Sequence, residues 1–181
     1  MKRTALHIAL ILILTIFVGN QEVFGQTRVQ VVKQKRTESF KWKPSVSLEI
    51  NGERAEIFIS THDLNTISIE TELIAKHKDK SVAEKDLKKL QLLVDKVGSK
   101  VFVRDFIQLD SDNKKPESGL KTVMHITIPT HCAVSINNYF GKIDVQGLLN
   151  TLTINSEYSR INLKKNHAII KVGSKFGDIK A

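Results

Sequence analysis

The sequence predicts a mainly β protein, a single-domain parallel β-solenoid with 18-residue coils and a short helical insertion. Three observations lead to this prediction. The last third of the chain repeats every eighteen residues, the middle alternates apolar and polar residues, and one internal segment is densely charged. A repeat of fixed period whose apolar positions stay in register is typical of a stacked solenoid, and alternation at period two is typical of a half-buried strand.

The repeat has three members, which begin at Val134, Leu152 and Ile170. Each member reads apolar-x-apolar, then an aromatic and a small residue, then apolar-x-apolar again. Five apolar columns and one small column keep register without a gap: Val134/Leu152/Ile170, Ile136/Ile154/Val172, Phe140/Tyr158/Phe176, Ile143/Ile161/Ile179, Val145/Leu163/Ala181 and the small Gly141/Ser159/Gly177. Because neighbouring strands lie about 4.8 Å apart, we expect each residue to lie over its equivalent in the next coil.

The aromatic column is expected either inside the coil or at one of its corners. The small residue after each aromatic predicts a tight bend, at which a larger side chain would strike the next coil. A left-handed β-helix of hexapeptides is excluded, because steps of six from Ile136 reach Lys142 and Arg160, where that fold requires an aliphatic residue.

The first residues are typical of a secretory signal peptide over residues 1–25. Lys2 and Arg3 precede an apolar run from Ile8 to Val18, and Gly25 is the small residue of a cleavage site. As a helix, an apolar run of this length spans only about 16 Å, which is about half of a hydrocarbon core. We therefore expect export with cleavage, and no transmembrane segment after cleavage.

After the leader we expect a linker over residues 26–45, which is basic and polar and has Trp42 as its one large apolar anchor. The solenoid domain is then expected over residues 46–181. Asn51-Gly52 is typical of a hairpin turn. The first strands are expected at Val46–Ile50, Ala55–Ile59 and Thr66–Thr71.

The charged segment predicts a helix at about residues 81–90. Ser81 and Glu84 form a capping box. The apolar residues at helical spacing are Ala83, Leu87, Leu90 and Val94. Residues 91–94 either continue this helix or begin a hairpin that returns over residues 100–106, and we favour the hairpin.

No constellation of residues predicts a catalytic centre, a cofactor site or a metal site. The histidines have no pair at ligand spacing, and the loop from Asp110 has lysines where a calcium loop needs oxygen ligands. Asp144 and Asp178 each lack a second carboxylate at a distance suited to polysaccharide cleavage, which is the nearest enzymatic alternative. Cys132 is the only cysteine, so no intrachain disulfide can form. We expect no enzymatic activity.

The chain carries 28 basic and 19 acidic residues, a formal net charge of +9. The lysines are scattered and no aromatic residues alternate with them, so nucleic-acid binding is not expected. The positive charge leaves one alternative function open, that of an exported binding protein for an anionic envelope component, either a lipid or a polysaccharide.

Two parts of the chain resemble a known family. One part is the link Ile126-Thr-Ile128-Pro129 with the repeats behind it, and the other is the earlier Ile50-Asn-Gly with residues 55–60, residues 66–70 and the charged stretch 83–90. Both resemble the adhesin-like β-solenoid family called auto-transporter adhesin head, or GIN domain. The resemblance covers about residues 46–181. It implies a right-handed parallel β-solenoid, secreted or surface-exposed, in Bacteroidetes-like bacteria, with no catalytic residues established for the family.

These features predict an exported, non-catalytic surface or periplasmic module of a Gram-negative bacterium. It would be adhesive, structural or partner-binding, and its partner would be an unidentified protein or a glycan. The third coil stops partway, at Ala181, which predicts an open edge through which copies could self-associate. The residues expected at this interaction edge are Ile170, Val172, Phe176 and Ile179.

Overall fold

The computed structural model describes residues 28–181, so the predicted signal peptide, residues 1–25, lies outside the described residues. The described part is mainly β, with ten strands in one mixed sheet and one helix. The elements in chain order are β1 Gln30–Lys41, β2 Ser47–His62, β3 Thr66–His77, α1 Lys80–Leu87, β4 Leu90–Val97, β5 Lys100–Ile107, β6 Gly119–Pro129, β7 Ala133–Gln146, β8 Leu152–Lys164, β9 Ile170–Ser174 and β10 Ile179–Lys180.

The eighteen-residue repeat is the pairing register of β7, β8 and β9. Val134 pairs with Leu152, and Leu152 pairs with Ile170, in parallel. β10 keeps the same register, since Ile179 pairs with Ile161. The predicted alignment of equivalent residues is therefore confirmed for these strands. We call each parallel layer of this stack a rung.

Strand β2 is a further rung that the repeat does not reveal. Leu48 pairs with Val134, so β2 lies parallel to β7 at an offset of 86 residues. On its other side, the first half of β2 pairs with β5 and the second half with β6, both in parallel. The predicted turn at Asn51-Gly52 is wrong, because both residues continue β2. Gly52 instead leaves room for a neighbouring side chain, since a Cβ there would overlap Asn138 Oδ1.

The remaining strand pairs are antiparallel, so the sheet as a whole is mixed. β3 lies between β1 and β6, and β4 pairs with β5. A parallel solenoid over the whole of residues 46–181 is therefore not what the sheet shows. Within residues 28–181, parallel pairing is confined to β2, β5, β6 and the four strands from β7 to β10.

The predicted linker, residues 26–45, is wrong for most of its length. Gln30–Lys41 forms β1 and pairs along its whole length with β3. The polar sequence of this segment gives no strand pattern, because β1 lies at the edge of the sheet and only its Val32 and Phe40 pack against the core. An edge strand needs few apolar residues, because most of its side chains stay in water.

The helix α1 covers Lys80–Leu87, compared with about 81–90 predicted. Its N-cap is Asp79, whose carboxylate accepts hydrogen bonds from the backbone N and the Oγ of Ser81, so Ser81 does not cap the helix. Leu90 begins β4, which forms the favoured hairpin with β5. No helix among the described residues is long and apolar enough to cross a membrane.

One apolar core holds the rungs together. In β7 and β8, four of the five predicted apolar columns are buried. β2 extends these columns by one rung with Leu48, Ile50, Ile57 and Ile59. Burial of each such side chain contributes about 1.5–3 kcal/mol, so the stacking of columns is the main force that orders the rungs.

Candidate functional site

Each rung of β2, β7 and β8 turns a corner, and Asn138 holds this corner in place. The alternation of buried residues in β7 breaks after Asn138, where Tyr139 and Phe140 are both exposed. The buried Asn138 Nδ2 lies 3.1 Å from Ala55 O of β2, 3.0 Å from Phe140 O of its own strand and 3.2 Å from Ser159 Oγ of β8, so its two N–H groups are shared among these three acceptors. One amide thus joins three rungs, which fixes the geometry of the surface around it.

Three asparagines form a file across the rungs beside this corner. They are Asn51 on β2, Asn137 on β7 and Asn155 on β8. Asn155 Nδ2 donates to Asn137 Oδ1 at 3.1 Å, and Asn137 Nδ2 donates to Asn51 Oδ1 at 2.9 Å. An amide side chain has two N–H donors and two acceptor lone pairs, so these bonds use only half of the capacity of Asn137. We call these three residues the amide file.

The aromatic column of the repeat forms an exposed stack on the corner itself. The ring centroids of Phe140 and Tyr158 are 4.9 Å apart and those of Tyr158 and Phe176 are 5.3 Å apart, with interplanar angles of 16° and 11°. The three residues are 37%, 43% and 79% exposed. The sequence left open whether this column lies inside the coil or at a corner, and in the structure it lies at the corner. We call these three residues the aromatic stack.

Tyr139 lies against the side of the aromatic stack. Its ring is at 90° to that of Phe140 and at 78° to that of Tyr158, with centroids 4.6 and 5.7 Å away. Both faces of Tyr158 are covered by Phe140 and Phe176, so Tyr158 contacts Tyr139 through its ring edge. One face of Tyr139 is therefore packed on the stack, while the residue as a whole is 45% exposed.

An open groove of about 680 Å³ runs along the amide file. It is lined by the file, by Tyr139 and by the end of β5, where the Arg104 guanidinium lies 5.5 Å from the centre of the Phe106 ring. Gly173, Ser174 and Lys175 of the third coil continue the lining. We call this the corner groove. It combines amides, hydroxyls and aromatic rings with five charged side chains.

The charges of the corner groove nearly balance. Its charged lining residues are Glu53, Asp105, Glu157, Arg104 and Lys175. Lys175 Nζ lies 3.7 Å from Glu157. The negative charge of Glu157 is also the main reason why the pKa of Tyr139 is raised. Like any tyrosine, Tyr139 is protonated at neutral pH, and its hydroxyl is placed to donate a hydrogen bond to Glu157.

Asp105 is a buried carboxylate at the base of this region, 3% exposed. Its Oδ1 accepts from the backbone N of Glu53 at 3.0 Å, and its Oδ2 accepts from Thr122 Oγ1 at 2.7 Å. Burial raises the pKa of Asp105 more than these hydrogen bonds lower it. Sequence reasoning missed this residue. The sequence does carry a signal for it: side chains alternate between the two faces of a strand, so Asp105 lies on the same buried face of β5 as Val101 and Val103.

The predicted interaction edge lies outside the corner groove. Ile170 and Val172 are on β9 and Ile179 is on β10, with Phe176 between them. Ile170, Phe176 and Ile179 are exposed and Val172 is half-buried. The only described strand that pairs with β9 is β8. A role of these residues in self-association stays a prediction.

Other residues weighed in the sequence are engaged in structural contacts. Burial raises the pKa of the Cys132 thiol to about 11. Asp110 Oδ2 lies 2.8 Å from Lys89 Nζ, and Asp144 Oδ2 lies 2.6 Å from Lys142 Nζ. Within residues 28–181, no group of three or more histidine, cysteine or acidic side chains is placed to hold a metal ion.

Comparison with known proteins finds structural likeness alone. No protein-family model matches the sequence, and no curated protein matches it. A solved structure from Clostridium sporogenes, described as a "putative cell adhesion protein", has a TM-score of 0.42 and 10% identity and covers 81% of this chain and 98% of its own. A structure described as a "putative adhesin" from Bacteroides fragilis has a TM-score of 0.25 and 11% identity and covers 81% of this chain and 96% of its own. Another "putative adhesin", from Parabacteroides merdae, has a TM-score of 0.26 and 8% identity and covers 81% of this chain and 95% of its own. Because these TM-scores are below 0.5, the likeness assigns neither a family nor a function, and the resemblance to the auto-transporter adhesin head family stays a prediction.

Proposed function

We propose that this chain is an exported, non-catalytic surface or periplasmic module that binds a partner through the corner groove of a right-handed β-solenoid. The groove is the observation that carries the proposal. Its volume of about 680 Å³ is in the range of ligand sites, and its lining residues are held in place by the Asn138 hydrogen bonds and by the aromatic stack. An open groove lined by amides and aromatic rings on a stack of rungs suits an adhesive or structural module.

The in-register rungs support the solenoid part of this proposal. β2, β7, β8 and β9 repeat the same parallel pairing, with one corner in the same place in β2, β7 and β8. The antiparallel strands β1, β3 and β4 are then additions to this stack. A solenoid presents a long outer surface of equivalent positions, which favours binding of extended partners.

The state of the carboxylates supports a non-catalytic role. Asp105 already accepts two hydrogen bonds from the fold, and Glu157 lies beside Lys175, which leaves Glu53 as the single carboxylate of the described lining without such a contact. Hydrolysis of a glycosidic bond needs two carboxyl groups free to act on the substrate from opposite sides. Export to the periplasm or cell surface of a Gram-negative bacterium is proposed from the signal-like residues 1–25.

A pull-down with the full chain tests the proposal. The chain is immobilised and exposed to outer-membrane, periplasmic and extracellular polysaccharide fractions of a Gram-negative bacterium, at low and at high ionic strength. We expect retention of one fraction at both ionic strengths. Asn155→Trp, which puts a large ring into the groove, should abolish this retention.

Asn162→Trp is the matched control, because Asn162 lies on the same strand but lines a separate depression beside Phe58 and His125. Failure of every fraction to bind, or equal effects of the two substitutions, contradicts the proposal. Retention at low ionic strength alone, unchanged by Asn155→Trp, points instead to the anionic envelope component, because salt screens lysine contacts.

A further inference from the structure

We propose that the ligand of the corner groove is a neutral polysaccharide, which hydrogen-bonds to the amide file across several rungs and packs a sugar ring on Tyr139. This inference rests on the proposed function. It adds the chemical class of the ligand and the residues that recognise it.

The hydrogen-bonding capacity of the amide file selects hydroxyl groups. Asn137 uses one N–H and one lone pair within the file and keeps the others for a ligand. The file therefore presents donors and acceptors together, at the rung spacing of about 4.8 Å. A sugar hydroxyl is both donor and acceptor, so successive hydroxyls can satisfy such a file. Phosphate and sulfate oxygens only accept, and they would leave the Oδ1 atoms facing an anion.

Tyr139 supplies a rigid apolar platform at the same groove. One face of its ring is fixed against Phe140 and Tyr158, so the ring loses little conformational entropy when a ligand binds. The C–H groups on the face of a pyranose ring are apolar, and they pack on an exposed aromatic face. Phe106 is a second aromatic ring in the lining.

The charge balance favours a neutral ligand over a polyanion. Lys175 is paired with Glu157, and the guanidinium of Arg104 lies against the Phe106 ring. Glu53 and Asp105 leave a slight excess of acidic residues in the lining. The positive net charge of +9 is therefore not concentrated in this groove. An anionic polymer would meet carboxylates here, which disfavours its binding.

Binding of the full chain to an array of neutral, acidic and sulfated glycans tests the inference. We expect retention on a set of neutral glycans. Tyr139→Ala should weaken this binding at least about tenfold, the effect of losing one aromatic contact with its buried area. Tyr139→Phe keeps the ring and should stay within about threefold of wild type. Asn155→Ala removes one member of the amide file and should weaken binding severalfold.

Phe58→Ala is the control for the loss of a ring outside the groove, since Phe58 stacks on His125 at 4.9 Å on another part of the surface. It should leave glycan binding unchanged. Retention on sulfated glycans alone, no retention on any neutral glycan, or wild-type binding by Tyr139→Ala overturns the inference. Where the array is empty but the envelope pull-down depends on Asn155, the proposed function stands and this inference fails. Where both are empty, both fail.

Discussion

Replacing Gly141 with alanine tests whether close backbone packing sets the corner of the stack. A Cβ at this position would overlap the backbone oxygen of Ala55 on β2. Gly141 also has φ of 130°, a conformation that residues with a side chain rarely adopt. The carbonyl cannot move away easily, because Ala55 is buried and pairs with Gly141 on one side and with Thr122 on the other.

The expected loss of stability follows from these two effects. Strain at an unfavourable φ costs about 1–3 kcal/mol, and displacement of packed backbone by an inserted methyl group costs about 1–3 kcal/mol more. Gly141→Ala should therefore lower the free energy of unfolding by about 2–6 kcal/mol. A loss of that size is a large part of the total of about 5–15 kcal/mol that is typical of a folded domain.

Gly98→Ala separates the two effects. Gly98 has φ of 59° in the turn between β4 and β5, and a Cβ there would meet nothing within 4 Å. This control carries the conformational strain without the overlap, so we expect a loss of about 1–2 kcal/mol.

Urea unfolding followed by tryptophan fluorescence measures both variants. Trp42 is the only tryptophan; it is buried in the core, and its Nε1–H donates to Val46 O at 2.9 Å. Its emission therefore reports the loss of the folded core. The argument is refuted if Gly141→Ala and Gly98→Ala lower the unfolding midpoint by the same amount at equal m-values, because the overlap with Ala55 would then have no effect.

Three further predictions concern stability and reactivity. The pKa of Asp105 is raised in the folded state, so the folded chain takes up this proton at higher pH than the unfolded chain does. As the pH falls from 7 to 4, the stability of wild type relative to Asp105→Asn should therefore increase. Urea midpoints of both proteins over this pH range check the prediction. The buried thiol of Cys132, with its pKa raised to about 11, should not react with a thiol reagent at pH 8 until urea unfolds the chain, and rapid reaction of the folded protein would contradict this. Lys165 has φ of 51°, at the position equivalent to Gly147 with φ of 81°, so Lys165→Gly should raise the unfolding free energy by up to about 1 kcal/mol, measured by the same urea titration.

The sequence predicts those parts of the fold that depend on near neighbours. The pairing of Ile136 with Ile154 follows from the repeat, because one coil separates the two residues and both face the core. The pairing of Leu48 with Val134 does not, because the two residues are 86 positions apart and the segment between them contains no repeat that points to their contact. β1 was missed for a different reason, since a strand at the edge of a sheet keeps most of its polar side chains in water.

The corner groove could be predicted only in part. Asn137 and Asn155 occupy the same column of the repeat. Asparagines at equivalent positions of stacked strands indicate an amide ladder, so the sequence does carry this signal. Arg104 and Phe106 come from β5, whose place beside β2 the repeat does not give. A groove formed by two distant segments becomes visible only when the long-range pairing is known.

The long separation between β2 and β7 bears on how the molecule folds. Pairing of these two strands closes a large loop, and the chain loses conformational entropy before the contacts between the strands can compensate for it. The rungs β7, β8 and β9 close loops of only eighteen residues, so their pairing costs less entropy than the pairing of β2 with β7. β9 contains no fully buried residue, and its amide hydrogens should exchange first. Among the described strands β2 is paired on both sides and β9 on one, so exchange protection in the stack should rise in steps from β9 back to β2.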